Sequence, residues 1–162
     1  MSQMKSVGLG EWFVTADPVM TIAAIGLGSC VGVAAYDPVA KLAGMIHIVL
    51  PDSGGNADGD SKTKFADQGL PVLFDSMYKQ GAKKERLVVK ICGGAQMLSH
   101  VGVSMSFNIG ERNVEAVKKI LKEMGLVIRG EQVGGVAGRT LKLYVNTGRI
   151  TVRTVGSEEK DL

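Results

Sequence analysis

Apolar residues in this chain fall mostly into short runs cut by glycine, proline and small polar residues, and only two stretches keep helical spacing. Residues 7–15 (VGLGEWFVT) and 19–25 (VMTIAAI) read as strands, separated by Ala16-Asp17-Pro18, where the proline stops pairing. Residues 31–36 and 42–50 read as a hairpin around Asp37-Pro38-Val39-Ala40, which has Asp and Pro in the first two positions of a type I turn. If Tyr36 and Lys41 close that loop, Val33 lies opposite Gly44, Val31 opposite Ile46 and Cys30 opposite His47. Directly opposed residues have Cβ atoms roughly 4.5–5.5 Å apart, so the hairpin sets a thiol beside an imidazole. The expected second face of the hairpin is apolar: Val31, Val33, Leu42, Ile46 and Ile48.

Further along, residues 65–80 have helical spacing at Phe65, Leu70, Leu73, Phe74 and Met77, with Gly81 as the stop. Pro71 predicts a break, with residues 65–69 as a separate short turn and Pro71 in the first turn of the main helix. Residues 111–124 carry the stripe Val114, Val117, Ile120, Leu121, Met124, capped by Asn113 or Asn108 and ended by Gly125. Strands are expected at residues 86–92, 126–133, 139–145 and 149–155, the last two as a hairpin through Asn146-Thr147-Gly148. The polar Gly-rich stretch 52–64 reads as a loop bordering the thiol and imidazole, and residues 156–162 as a frayed tail.

Length and composition narrow the class. With 162 residues, 45% of them hydrophobic, the chain buries one core without disulfides, so one domain over 1–162 is expected. Twenty-two glycines against 5% aromatics favour a strand-rich α/β (α+β) protein over a helical bundle. The net charge of +3, with no basic run interleaved with aromatics, argues against nucleic acid. Cys30 and Cys92 make no CxxC or zinc spacing, so they are expected as free thiols in a reducing cytoplasm, with no metal. No signal-peptide core and no apolar run of roughly 20 residues is present, which predicts no membrane insertion.

The candidate chemistry rests on Cys30 and His47. Gly26-Leu27-Gly28-Ser29 precedes the cysteine, and glycines there turn backbone N–H groups toward an anion. It is not a dinucleotide loop, because Val31 stands in place of the third glycine and a strand follows. A single cysteine or histidine in an apolar run is usually core; their joint placement by the hairpin is what a core does not require. Cys92 lies in an apolar strand and reads as packed core, and His100 in a Ser- and Gly-rich segment reads as surface. Asp52, Ser53, Arg112 and Asn113 are polar candidates for the rim of the site or for buried hydrogen bonding.

The signature LGSC (27–30), YDP (36–38), GMIHIVLPDS (44–53), GGAQM (93–97), NIGERN (108–113), VGGVAGR (133–139) and the closing TGRITVR resembles the CheD family of chemoreceptor glutamine deamidases, over essentially the whole chain. The resemblance implies stacked, mostly antiparallel β-sheets flanked by about two to three helices, similar to cytotoxic-necrotizing-factor-like cysteine hydrolases. It implies a nucleophile at Cys30 and a base at His47, no cofactor, and two partners: cytoplasmic helices of chemotaxis receptors and a CheC-type phosphatase. Backbone N–H groups near Ser29 and Cys30 are expected to hold the oxyanion. The chain departs from the family twice. Ala24 stands where a threonine is usual six residues before the cysteine, and Cys92 where phenylalanine commonly precedes GGA. A substitute for the threonine is therefore expected to orient His47: a backbone carbonyl, a water, or a hydroxyl such as Ser53 or, less well placed along its strand, Thr21.

Overall fold

The computed structural model describes residues 3–55, 57–97 and 108–162; His100 lies outside them. Ten strands and two α-helices are formed among these residues: β1 (Gln3–Ser6), β2 (Trp12–Thr15), β3 (Met20–Leu27), β4 (Val31–Asp37), β5 (Leu42–Ile48), α1 (Ala66–Lys79), β6 (Val88–Gly93), α2 (Ile109–Glu123), β7 (Ile128–Val133), β8 (Arg139–Tyr144), β9 (Arg149–Thr154) and β10 (Lys160–Asp161). One sheet has the order β1-β3-β8-β9-β10 and the other β2-β5-β4-β6-β7. Each sheet is mixed: β1 runs parallel to β3 and β7 parallel to β6, and the remaining pairs are antiparallel.

The layers follow from side-chain alternation on β4 and β5, which are buried along their whole length. Val31, Val33, Leu42, Ile46 and Ile48 pack under Leu70, Leu73, Phe74 and Met77 of α1 and Val117 and Leu121 of α2. Ala34, Tyr36, Ala43 and Met45 face the other way, onto Ile22, Ala24, Leu27, Leu141 and Ile150 of the first sheet. The result is sheet on sheet on helices, with two cores sharing the β4–β5 hairpin. Small residues set the spacing. A Cβ on Gly32 would come 2.9 Å from Leu141 and 3.0 Å from Leu27, and one on Gly44 would meet Met77 at 2.6 Å.

The hairpin register differs from the expected one by two residues. Asp37 pairs with Leu42, Val33 with Ile46, Val31 with Ile48 and Gly32 with His47. The loop is Pro38 to Lys41 instead of Asp37 to Ala40, because Asp37 ends the strand and caps the turn. Its Oδ1 accepts from the Val39 and Ala40 amides at 2.9 and 3.0 Å, and Lys41 closes the loop in the left-handed region at φ 54°. A slip of two keeps every side chain on its face, so the apolar face is the one the pattern assigns.

Other differences have local causes. Of the strand expected at 7–15 only residues 12–15 form one, β2; β1 precedes it at residues 3–6 in the other sheet, and residues 7–11 cross between the two. Helix α1 runs unbroken through Pro71, anchored at its start by the Ala66 amide on the Leu50 carbonyl and the Gly69 amide on the Phe65 carbonyl. Proline then forfeits only the bond to the Asp67 carbonyl. Asn108, not Asn113, caps α2, accepting from the Glu111 amide at 3.1 Å while its own amide reaches the Glu111 carboxylate. The tail is not frayed: Lys160 and Asp161 pair with β9, and Arg149 bonds Asp161 at 2.6 Å.

Candidate active site

Cys30 and His47 lie on the inter-sheet face at one end of the hairpin. His47 pairs with Gly32, so Cys30, two residues earlier, is its diagonal neighbour and not its direct partner. Diagonal Cα separations of roughly 7–8 Å are bridged by ring-sized side chains. Gly32 leaves the space between them free of a side chain from its own strand. Leu27 and Leu141 of the opposite sheet close the floor below it. Cys30 is partly buried and His47 almost fully buried, at 3% exposure.

The loop between β1 and β2 holds the imidazole. The Gly10 amide donates to the His47 carbonyl at 2.9 Å, the His47 amide to the Glu11 carbonyl at 3.0 Å, and the Val7 amide to the Ala23 carbonyl at 2.8 Å. Thr63 Oγ1 donates to the Gly10 carbonyl at 2.6 Å. Pinned this way, the Val7 carbonyl lies 2.9 Å from His47 Nδ1. A carbonyl only accepts, so Nδ1 carries the proton, and in the neutral ring Nε2 keeps its lone pair. Nε2 is buried and has no hydrogen-bond partner among the described residues. An orphaned buried ring nitrogen is costly in a structural residue and useful in a base. No bond joins the thiol to the ring among the described residues, and burial pushes Cys30 above the ordinary thiol value.

The Gly28–Cys30 segment is held by its carbonyls. Gly28 accepts from the Ala95 amide and Cys30 from the Gly94 amide, both at 2.8 Å, and Ser29 from Asn113 Nδ2 at 2.9 Å. Among the described residues the amides of Ser29 and Cys30 have no acceptor. They are donors available to an oxyanion. The GGA and NIG stretches are the brace behind this loop. A Cβ on Gly93, at φ 117°, would stand 2.2 Å from the Cys30 carbonyl, and one on Gly110 would stand 2.4 Å from the Ala95 carbonyl.

Neither hydroxyl proposed as orienting group reaches the ring. Thr21 pairs with Met4 and Tyr144, three residues from the inward-facing Ala24 and on the outer face of its sheet. Ser53 is engaged by Asp67, its Oγ donating at 2.9 Å. The acceptor is the Val7 carbonyl, one of the backbone alternatives open from the sequence. Ala24 itself is fully buried, with its Cβ 3.6 Å from where a Gly32 Cβ would stand. Cys92 pairs with Gly32 on the side away from His47, and burial pushes its thiol up to about 12, only partly offset by the Arg139 charge. The Val7 carbonyl left no trace in residue type, since any residue supplies one; the glycines of GGA and NIG were the legible sign of close backbone packing.

Fold and site together define a two-sheet α+β protein with a thiol and an imidazole on one face at one end of the inter-sheet layer. The family described as "CheD chemotactic sensory transduction" matches residues 49–154. The "Probable chemoreceptor glutamine deamidase CheD" of Caldanaerobacter subterraneus subsp. tengcongensis is 47% identical over 96% of this chain and 95% of its own. The "Chemoreceptor glutamine deamidase CheD" of Thermotoga maritima is 46% identical over 96% and 95%, and that of Halalkalibacterium halodurans 44% identical over 100% of both chains. This chain belongs to the CheD family. No helix among its described residues is long and apolar enough to cross a membrane.

Proposed function

We propose that this chain is a glutamine deamidase of chemotaxis receptors, with Cys30 as nucleophile and His47 as general acid–base. The observation that carries the reading is the shared face of Cys30 and His47, with the ring fixed by the Val7 carbonyl and its other nitrogen without a partner among the described residues.

Because the resting thiol holds its proton, His47 Nε2 takes it as sulfur attacks the side-chain carboxamide of a receptor glutamine. Negative charge moves to the carbonyl oxygen, where the amides of Ser29 and Cys30 receive it. As the tetrahedral adduct collapses, the C–N bond breaks, His47 returns the proton to the leaving nitrogen, and ammonia departs from a thioester. Water, deprotonated by the same nitrogen, attacks the thioester carbonyl. The S–C bond breaks, glutamate is released, and the proton returns to Cys30. No step requires a metal or organic cofactor. A CheC-type phosphatase is the second proposed partner, bound without use of the thiol.

The test is mass spectrometry of receptor cytoplasmic fragments after incubation, reading a shift of about 1 Da per glutamine whose NH₂ becomes OH. Wild type and Cys92→Ala are expected to give the shift and Cys30→Ala none, with CheC-type binding retained by all three. Equal conversion by wild type and Cys30→Ala would remove the enzyme and leave a non-catalytic adaptor that docks on receptors and stimulates the phosphatase.

A further inference from the structure

We infer that Asn113 is a positioning residue that aims the Cys30 amide at the oxyanion; the inference rests on the deamidase reading. Asn113 sits in the second turn of α2 and is fully buried. Its Nδ2 donates to two carbonyls at once, Ser29 at 2.9 Å and Val49 at 2.9 Å. The first belongs to the peptide unit whose N–H is that of Cys30. The second lies two residues beyond His47, just past the end of β5. One side-chain amide therefore ties the nucleophile loop to the strand carrying the base.

The direction of the bond matters more than its strength. A peptide unit is planar, and no peptide in the described chain is cis, so the Ser29 C=O and the Cys30 N–H point in opposite directions. Drawing the carbonyl down to α2 turns the N–H away from the helix, where it finds no acceptor among the described residues. On the far side of Cys30, the Gly94 amide holds the Cys30 carbonyl, so both peptide units flanking the nucleophile are locked. Among the described residues Asn113 Oδ1 is buried without a partner, so the side chain is held there by its two donor bonds alone.

Asn113→Asp keeps the shape and removes both donors; Asn113→Ser leaves room for water in their place. In each, kcat for release of ammonia from a receptor fragment is expected to fall roughly 10–10²-fold, with KM held within about threefold. Alkylation of Cys30 by iodoacetamide, which displaces iodide and builds no oxyanion, is expected to stay within about threefold of wild type. Unchanged kcat, or a parallel fall in kcat and alkylation, would overturn the inference. Should the variants not fold, wild-type protein decides. Butanal stands in for a glutamine side chain and adds to the thiol as a hemithioacetal, whose oxygen should shift the Cys30 amide proton downfield. An unmoved Cys30 amide in the adduct overturns the inference. A wild type that forms the adduct but releases no ammonia removes the deamidase reading and, with it, the inference that rests on it.

Discussion

Ala24→Thr supplies the threonine that the family resemblance implies at this position, and the structure says that it should gain little. The imidazole needs one acceptor at Nδ1, and the Val7 carbonyl supplies it at 2.9 Å from a loop held by three further backbone bonds. Nδ1 bears one proton, so a new hydroxyl replaces or shares that bond without adding a second. Exchange of one neutral hydrogen bond for another changes the free energy by about 1 kcal/mol at most, less than a tenfold effect on rate. The cost is steric. Ala24 is fully buried in the inter-sheet core with Ile22, Leu27 and Leu141. Overpacking of this kind costs about 1–3 kcal/mol, which at this chain length lowers Tm by roughly 2–12 °C. Ammonia release measured beside differential scanning calorimetry should show a rate within about tenfold of wild type and a lower Tm. A rate increase of roughly 10²-fold or more, the scale of a newly positioned acid–base group, would refute the assignment of the Val7 carbonyl as orienting group.

Two further outcomes depend on charge. Burial alone would raise the Asp37 carboxyl, but the Arg86 guanidinium and the Ala40, Lys83 and Val39 amides outweigh it and hold the group at about 2, against an ordinary 3.8. A depressed folded value stabilises the fold above pH 3.8 and the contribution is lost as pH falls toward 2. Asp37→Asn should therefore lose roughly 2 kcal/mol at neutral pH and show a flatter acid limb in urea titrations; parallel acid limbs would contradict this. For Cys30, whose thiol is raised by burial, the pH profile of iodoacetamide alkylation in the free protein should inflect above the free-thiol value of about 8.5. An inflection below it would mean a resting thiolate–imidazolium pair.

How far the pattern could be read depended on whether side chains or backbone carried the information. Alternation along residues 31–36 and 42–50 assigns both faces of the hairpin, because apolar contact with the helices selects Val31, Val33, Ile46 and Ile48 together. Register was not legible to the residue, since it turns on Lys41 adopting φ 54°, a conformation that lysine does not advertise. Strands β1 and β10 were missed for a different reason. Gln3–Ser6 is exposed throughout and Lys160–Asp161 is polar, so neither edge strand carries a buried face to mark it. The residue types of the Cys30–His47 pair were visible; Val7 and Asn113 act through a carbonyl and through bonds to carbonyls, which need the fold before they can be placed.

On this reading the site does not depend on a side chain at position 24. The ring is oriented by a main-chain carbonyl, and the donors beside the thiol are main-chain amides aimed by fastening the carbonyls of Gly28, Ser29 and Cys30. Residues that serve such a site are those that let backbones approach, Gly93, Gly94 and Gly110, and the one side-chain amide long enough to reach two carbonyls, Asn113. A substitution at position 24 leaves all of these bonds in place. A side chain at Gly93 would not, because its Cβ would overlap the Cys30 carbonyl at 2.2 Å and force apart the strands on which both the nucleophile and the base depend.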